Sequence, residues 1–250
     1  MIARAIVTAT PCDVVERPDP GALISAARGG VTHVSLVATV LERIDTSIFE
    51  LILLGGAAPP GNVDQNVVCT YGMTETGSGV VYDGVALPGV EIAIDRPDPS
   101  GIGEILLRTP TALRSYRDRP APFVHGPDGT DGWLATGDGG RLSDAGLLEV
   151  HGRLAEVIVT GAEKVYPTDV ERIISAMSGV GEVAVWKRPD ATWGERVVAW
   201  VVPDGDPPSL EEVRMAVSEE LATFAAPREL EIVSALPRTG IGKLQRRALS

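Results

Sequence analysis

The sequence is poor in the residues that build disulfides and dedicated metal centres. Only two cysteines, Cys12 and Cys69, occur among 250 residues; they lie far apart, each inside an apolar stretch. Three dispersed histidines accompany no HExxH or CxxC spacing. Reduced, buried thiols are therefore expected instead of a disulfide framework or a transition-metal site. This cysteine usage favours a reducing, cytoplasmic location.

Long apolar runs are also missing. No window approaches the roughly 18 consecutive apolar residues of a membrane span, and the first ten residues lack the apolar core of a signal peptide. The sequence predicts no membrane partner.

Positive charge is scarce as well. Lys+Arg 22 against Asp+Glu 34 leaves a net charge of -12, which disfavours a nucleic-acid partner because a polyanion would be repelled. The 44% of hydrophobic and 22% of charged residues are typical of a folded globular chain. The length allows one large domain or two modest ones.

The first part of the chain alternates strand and helix patterns. Residues 3–9 predict a strand, residues 22–27 a helix stopped by glycine, and residues 34–44 a second helix. Continuous apolar runs at 50–54 and 66–70 predict buried strands. Such alternation indicates a parallel sheet, with ligand crevices at the carboxyl ends of its strands.

The pattern changes after residue 84. Short alternating strands at 90–94, 104–108 and 147–151, separated by Pro and Gly turns, predict antiparallel sheet. Residues 110–130 show little periodicity and are interpreted as a surface excursion.

A small α+β domain is predicted from residue 152 onward. Ser209 with Glu212 forms a capping box that opens one helix, and Thr168 or Asp169 after Pro167 can cap another. The predicted strands are 157–160, 183–187, 197–202 and 230–233, and the predicted helices are 170–177 and 210–221.

One polar loop is predicted directly after the strand at 66–70. It combines glycines, which let backbone N–H groups approach an anion, with hydroxyls that can donate to phosphate and with Glu75, which can ligate Mg²⁺. Glycine, serine and threonine are equally typical of an ordinary polar turn, so both readings stay open. The loop reads Tyr71-Gly72-Met73-Thr74-Glu75-Thr76-Gly77-Ser78-Gly79.

A second glycine-bearing segment contains Lys243 near the C terminus. It lacks the Walker spacing, because Pro237 and Leu244 stand where glycine and a hydroxyl residue are needed. A lysine on a glycine hinge can neutralise charge that develops on a phosphoryl or carboxylate group. The alternative is a solvated basic tail, since Arg246 and Arg247 follow.

Two further positions can contact a nucleotide. Asp138 is predicted at a tight turn, where it can accept hydrogen bonds from vicinal hydroxyls such as those of a ribose, or cap the turn. Arg153 can reach a nucleotide or pair with Glu156 on the surface.

Taken together and in order, these loops resemble the adenylate-forming acyl-CoA synthetase, or AMP-binding, family. The finer resemblance is to the o-succinylbenzoate-CoA ligases of menaquinone biosynthesis. The matching motifs are Gly55-Gly56-Ala57, Tyr71-Gly72-Met73-Thr74-Glu75, Thr136-Gly137-Asp138, Gly152-Arg153, the glycine loop at 160–167 and the closing segment at 237–243.

The resemblance implies an α/β plus α+β fold. Residues 1–152 would be part of an N-terminal AMP-binding domain, with a mixed sheet and a small barrel-like subdomain, and residues 153–250 a mobile C-terminal domain. It also implies an ATP-dependent ligase that adenylates a carboxylic acid and transfers the acyl group to coenzyme A. The finer resemblance would make the acid o-succinylbenzoate.

Roles for individual residues follow from the same resemblance. Thr74 would hold the α-phosphate, Glu75 the Mg²⁺, Asp138 and Arg153 the ribose, and Lys243 would bridge carboxylate and phosphate. The adenylate would also contact the segments Gly55-Gly56-Ala57 and Tyr71-Gly72-Met73, and Gly161 would line the approach of the thiol.

The sequence departs from the family at several points. It lacks the Ser/Thr/Gly-rich loop ending in Pro-Lys-Gly that clamps the β- and γ-phosphates, so the chain resembles an N-terminally truncated enzyme. Ala155 stands at the hinge position, and Ala162 and Lys164 alter the glycine loop. Two alternatives are therefore open: a catalytically incomplete adenylate-binding or assembly module, and a ligase for another carboxylic acid. A homodimer is a separate expectation.

Overall fold

The computed structural model describes residues 2–15, 19–41, 43–56, 63–239 and 244–249. The chain divides into two compact units. The first contains residues 1–91, 108–121 and 144–148, and the second contains residues 92–107, 122–143 and 149–250.

A mixed five-stranded sheet organises the first unit, in the order β1-β2-β3-β4-β5. The first three strands are parallel, and the last two are antiparallel additions. Leu23, Phe49 and Ile52 belong to the buried core on this sheet. The strands are β1 (His33–Leu36), β2 (Leu51–Leu54), β3 (Val67–Met73), β4 (Ser78–Tyr82) and β5 (Val85–Ala86); the helices are α1 (Ile2–Thr8), α2 (Pro20–Arg28) and α3 (Ala38–Leu41).

A second sheet lies mainly in the second unit, in the order β10-β9-β7-β6, with β8 paired to β9. Ile105, Leu107 and Leu134 are fully buried in it. Its strands are β6 (Glu91–Asp95), β7 (Gly103–Arg108), β8 (Phe123–Val124), β9 (Trp133–Leu142) and β10 (Leu148–Arg153).

A third sheet, with two helices, completes the second unit. Val170 and Ile174 on one helix and Val213 on the other are buried in one core with the sheet residues Val185 and Ala199. The strands are β11 (Ile158–Thr160), β12 (Glu163–Val165), β13 (Val180–Asp190), β14 (Gly194–Pro203) and β15 (Glu229–Ile232), in the order β12-β11-β14-β13 with β15 parallel to β14; the helices are α4 (Pro167–Ser175) and α5 (Leu210–Glu220).

This architecture confirms the predicted α/β plus α+β fold class. The capping box of Ser209 and Glu212 opens α5 as predicted. The cap of α4 differs, because Tyr166 is its N-cap residue and Pro167 occupies the first turn without a side-chain cap. Proline suits the first turn because its fixed φ is already helical and the N–H it lacks has no partner within the helix at that position.

Two predictions for the first unit are wrong. Residues 3–8 are helical in α1 and residue 9 is in a turn. Among the described residues this segment pairs with no strand, and without such pairing its β-branched residues do not form one. Residues 33–36 form strand β1 and only residues 38–41 are helical, since the pairing with β2 overrides the apolar spacing. Cys12 is exposed, not buried; Cys69 is half-buried, and both thiols are free.

Within the described ranges, no helix is long and apolar enough to cross a membrane.

Candidate functional site

The carboxyl end of β2 carries the first of the predicted glycine loops. Thr70 on the neighbouring strand donates its hydroxyl hydrogen bond to the Leu54 carbonyl oxygen at 3.0 Å. A Cβ at Gly55 would lie only 2.8 Å from that hydroxyl oxygen, so any other residue there would have to displace the Thr70 hydroxyl. Gly55 and Gly56 also line a cavity of 280 Å³ at the ends of β1 and β2. Ala57 lies outside the described residues.

Strand β3 continues through Tyr71, Gly72 and Met73, so these residues belong to the strand and not to a loop that follows it. The pairing with β4 extends the strand and contains a bulge between Tyr71 and Gly72. A Cβ on Gly72 would lie 2.2 Å from the Ser78 carbonyl oxygen, a distance that no side chain tolerates. Glycine therefore permits the close approach of the two strands.

A single 3₁₀ turn, Thr74–Thr76, follows the strand. Thr76 is 1% exposed, accepts a hydrogen bond from the Met73 N–H at 3.0 Å and donates to the Ser78 carbonyl oxygen at 2.7 Å. Gly77 closes the turn with φ 75°, in the left-handed region. The buried threonine thus holds the turn from inside, while Thr74 is exposed.

Glu75 is held by a loop distant in sequence. Tyr116 donates its hydroxyl hydrogen bond to Glu75 Oε1 at 2.7 Å, and this bond is the main cause of the raised pKa of Tyr116. The Leu113 N–H donates to the Glu75 carbonyl oxygen at 2.7 Å. The Arg119 guanidinium lies 4.4 Å from the centre of the Tyr116 ring.

The donor set around Glu75 suits a magnesium ion that arrives with a phosphate. Within the described part of the chain, no three His, Cys, Asp or Glu side chains group as a metal site. Mg²⁺ usually keeps several waters and binds one or two carboxylates together with substrate phosphates. One carboxylate beside the exposed hydroxyl of Thr74 fits this manner of binding.

Asp138 lies inside strand β9, where a turn was predicted, and is 7% exposed. The sequence Thr136-Gly137-Asp138 has turn composition, but Gly137 adopts φ 71° within a strand irregularity and the strand continues. The Gly137 N–H donates to Glu104 Oε1 at 3.0 Å, and the Asp138 N–H donates to Thr136 Oγ1 at 3.1 Å. The pairing partner β7 therefore fixes the backbone on which the carboxylate sits.

Arg153, at the end of β10, pairs with Asp138. Arg153 Nε lies 3.0 Å from Asp138 Oδ1, and Arg153 Nη1 donates to the Thr136 carbonyl oxygen at 3.3 Å. The carboxylate is nearly buried, whereas 56% of the arginine side chain is exposed. The alternative pairing of Arg153 with Glu156 is wrong, because Glu156 pairs with Arg246. The structure thus brings together two of the predicted nucleotide-binding residues.

The predicted glycine loop is a tight turn between β11 and β12. Gly161 and Ala162 have φ 59° and φ 71°, so an alanine occupies a conformation that favours glycine. The Gly161 N–H donates to the Trp193 carbonyl oxygen at 2.9 Å, and a Cβ at Gly161 would lie 2.6 Å from the Trp193 ring. Lys164 lies 3.5 Å from the Asp98 carboxylate.

Lys243 lies outside the described residues, but the segments on both sides of it are defined. Arg238 and Leu244 form an isolated β-bridge, and the Gln245 N–H donates to the Pro237 carbonyl oxygen at 2.8 Å. Arg238 also pairs with Glu182 at 2.7 Å. These contacts join the residues that flank the segment containing Lys243.

Arg246 is not part of a solvated tail. It pairs with Glu171 on α4 at 2.7 Å and with Glu156 at 2.8 Å, and 17% of its side chain is exposed. Glu171 also accepts a hydrogen bond from the Val185 N–H at 2.7 Å. Burial raises the pKa of Glu171 and Arg246 opposes that effect. Sequence reasoning missed this network because its members are far apart in the chain.

A second group that sequence reasoning missed contains His151 and Tyr166. His151 Nδ1 lies 2.7 Å from Asp169 Oδ2. The centres of the His151 and Tyr166 rings are 5.5 Å apart. Among the described residues, neither His151 Nε2 nor the Tyr166 hydroxyl has a hydrogen-bond partner, although both are buried. Burial raises the pKa of Tyr166 to about 12, and Asp98 and Asp169 add to the shift.

Comparison with known proteins gives a consistent result. Residues 169–243 match the AMP-binding enzyme C-terminal domain. The chain is 39% identical to the probable 2-succinylbenzoate–CoA ligase of Mycobacterium tuberculosis, across 95% of this chain and 64% of that protein. It is 32% identical to the 2-succinylbenzoate–CoA ligase of Lactococcus lactis, across all of this chain and 58% of that protein.

Solved structures are similar as well. The o-succinylbenzoate CoA synthetase (MenE) of Bacillus subtilis, in complex with the acyl-adenylate intermediate OSB-AMP, matches with a TM-score of 0.77 and 30% identity. The match covers 92% of this chain and 53% of that one. ATP-bound MatB from Rhodopseudomonas palustris matches with a TM-score of 0.78 and 28% identity, across 92% of this chain and 52% of that one. The chain therefore spans less than two thirds of the length of these relatives.

Proposed function

We propose that this chain is a member of the AMP-binding family of adenylate-forming enzymes. It acts as a 2-succinylbenzoate–CoA ligase, also called an o-succinylbenzoate–CoA ligase, or supplies the adenylate-binding part of one. The observation that carries the proposal is similarity to proteins of that name across 95% to 100% of the chain, which includes both units. The coordinates of a relative with its acyl-adenylate, OSB-AMP, add support.

The proposed reaction has two steps. A carboxylate oxygen of the acid attacks the α-phosphorus of ATP, the bond to pyrophosphate breaks, and an acyl-adenylate forms. The sulfur of coenzyme A then attacks the acyl carbon, and AMP leaves. Both steps depend chiefly on positioning and on neutralising charge on phosphate oxygens.

In the first unit, the turn after β3 is assigned to the α-phosphate. Thr74 is exposed at a turn that Thr76 fixes from inside, so its hydroxyl can donate without rearrangement of the backbone. Glu75 would hold Mg²⁺, which when bound neutralises charge on the phosphate oxygens. The glycines at 55, 56 and 72, with Ala57, Tyr71 and Met73, are assigned to the remaining contacts with the adenylate.

In the second unit, Asp138 and Arg153 are assigned to the ribose. The ion pair fixes the orientation of the nearly buried carboxylate, whose oxygens can accept hydrogen bonds from two vicinal hydroxyls. Lys243 is assigned to the charge shared by the carboxylate and the α-phosphate during the first step. No other group is assigned that task.

The thioester step is assigned to the C-terminal part of the chain. We place the domain boundary at residues 152 and 153, where β10 ends. The C-terminal domain would then rotate about residues 153–156, and after this rotation Gly161 would line the approach of the thiol. Ala155 and the left-handed Ala162 are departures in this region, so the second step is the more sensitive of the two. Cytoplasmic location and a homodimer stay predictions.

Product analysis tests the proposed substrate. The chain is incubated with ATP, Mg²⁺, coenzyme A and a panel of acids containing o-succinylbenzoate, benzoate and malonate, and acyl-CoA and AMP are quantified by mass spectrometry. We expect o-succinylbenzoyl-CoA to dominate and Lys243→Ala to abolish AMP formation. Another preferred acid would overturn the substrate assignment. AMP binding without any turnover would instead assign an adenylate-binding module.

A further inference from the structure

We infer that Tyr116 is a positioning residue for the Glu75 carboxylate, and that the loop at 109–121 thereby controls how the chain holds a nucleotide-bound Mg²⁺. The inference rests on the proposed function, because Tyr116 acts only through the role assigned to Glu75. From sequence alone, residues 110–130, which include most of this loop, are interpreted as a surface excursion.

The contact between the two side chains is direct. Tyr116 donates to Glu75 Oε1 at 2.7 Å, across 41 residues of sequence. An O–H group donating to a carboxylate at this distance is a charge-assisted hydrogen bond, which is stronger than a neutral one. It fixes one carboxylate oxygen and so limits rotation of the glutamate side chain.

The same loop also fixes the backbone of Glu75. The Leu113 N–H donates to the Glu75 carbonyl oxygen at 2.7 Å, so the loop holds main chain and side chain together. The Arg119 guanidinium lies 4.4 Å from the centre of the Tyr116 ring and also interacts with the phenol oxygen. Tyr116 therefore contacts both a cation and the carboxylate that it orients.

The orientation of the Glu75 carboxylate affects Mg²⁺ binding more here than it would in a site with many protein ligands. Only one carboxylate is assigned to the metal ion, so no second protein ligand compensates when Glu75 rotates away. Hydrogen-bond partners of metal ligands generally raise metal affinity by holding the ligand in its binding orientation. Removing the phenol hydroxyl should therefore weaken the contribution of Mg²⁺ to nucleotide binding while leaving the nucleotide's other contacts intact.

Calorimetric titration of ATP tests this inference without measuring turnover. The dissociation constant is measured with the whole 250-residue chain in excess MgCl₂ and again in EDTA, and the ratio of the two constants gives the metal enhancement. We expect Tyr116→Phe to lower this ratio about tenfold, the lower end of the range for partners of metal ligands, and to leave the constant in EDTA unchanged.

Two control variants separate positioning from folding. Tyr82→Phe removes a phenol hydroxyl that forms no hydrogen bond among the described residues of the same unit, and should leave the ratio unchanged. Arg119→Gln keeps the phenol hydroxyl but uncovers its ring, and should lower the ratio less than Tyr116→Phe. A Tyr116→Phe variant with an unchanged thermal midpoint and a lowered ratio supports the inference.

A double-mutant cycle shows whether Tyr116 acts through Glu75. Glu75→Gln should abolish the metal enhancement, and adding Tyr116→Phe should change nothing further. If Tyr116→Phe leaves the ratio unaltered, or lowers it further in the Glu75→Gln background, this inference is overturned while the proposed function is not. Absence of any metal enhancement in the unmodified chain overturns the Mg²⁺ role of Glu75 in the proposed function, and this inference with it.

Discussion

Replacing Arg246 by methionine should destabilise the second unit strongly, because it leaves Glu171 charged and buried without its partner. Arg246 binds Glu171 at 2.7 Å and Glu156 at 2.8 Å. Glu171 retains 15% side-chain exposure, whereas Glu156 retains 34% and can turn to solvent. The penalty therefore falls on Glu171.

The size of the effect follows from that burial. Breaking a buried ion pair by removing one partner costs about 3–5 kcal/mol, and the residual exposure of both side chains places this pair at the lower end, about 3 kcal/mol. For a chain of this length that loss corresponds to a fall of roughly 6–12 °C in the midpoint of thermal unfolding.

The penalty should depend on pH with a definite sign. Burial raises the pKa of Glu171 and Arg246 opposes it, so the pKa in the variant lies higher still. A carboxyl with a raised folded-state pKa contributes its full stability below the unfolded pKa of about 4.3, and that contribution is lost as the pH rises through the folded-state pKa. The deficit of Arg246→Met should thus be small near pH 4 and grow toward neutral pH.

Tryptophan fluorescence during urea unfolding measures this effect in the relevant unit, because all four tryptophans lie in the second unit. Arg247→Met is the matched control; Arg247 is exposed, and its removal should change the free energy of unfolding by less than about 0.5 kcal/mol. Adding Glu171→Gln to Arg246→Met should restore much of the loss, since the amide is neutral and still accepts from the Val185 N–H. The reasoning would be refuted if Arg246→Met and Arg247→Met lowered the free energy of unfolding equally, or if adding Glu171→Gln restored none of the loss.

Three further predictions concern single contacts. Gly72→Ala should destabilise the first unit by about 2–3 kcal/mol, because its Cβ would lie 2.2 Å from a backbone oxygen, and circular dichroism during urea unfolding measures the loss. Gly21→Ala in α2 is the comparison and should not destabilise the unit to that extent, because its Cβ would meet only the Asp19 carboxylate, at 3.2 Å. Tyr166→Phe should leave stability unchanged or raise it by about 1 kcal/mol, because it removes a buried hydroxyl without a described partner; a fall above 1 kcal/mol by tryptophan fluorescence would contradict that. Asp138→Asn should weaken AMP binding about tenfold, as measured by calorimetry. The control variant Asp144→Asn, at an exposed position, should leave AMP binding unchanged.

Local patterns were sufficient for much of the fold. Strand β2 is a continuous apolar run ended by glycine, and α5 begins at a capping box, so both could be predicted from neighbouring residues. Strand β9 could not, because Thr136-Gly137-Asp138 has the composition of a turn. Its strand conformation depends on pairing with β7, which includes a hydrogen bond from the Gly137 N–H to the Glu104 carboxylate.

The candidate site divides in the same way. The motifs nominate Glu75, Asp138 and Arg153 as candidates, and the roles of these residues stay predictions; the structure adds that Arg153 and Asp138 form an ion pair. Their partners were not predictable, since the bond from Tyr116 to Glu75 spans 41 residues and the pair of Arg246 and Glu171 spans 75. Hydrogen bonds of this kind are set by the tertiary fold and leave no periodic pattern in the sequence.

Binding of an acyl-adenylate tests the central claim most directly. Calorimetry would compare a hydrolysis-resistant analogue of o-succinylbenzoyl adenylate with AMP and with the analogue that carries benzoate. The proposed function predicts that the o-succinylbenzoyl analogue binds more tightly than either comparison ligand and that Asp138→Asn weakens all three. No detectable binding of the analogue to the unmodified chain, or equal affinity for the two acyl analogues with no effect of Asp138→Asn, would contradict it.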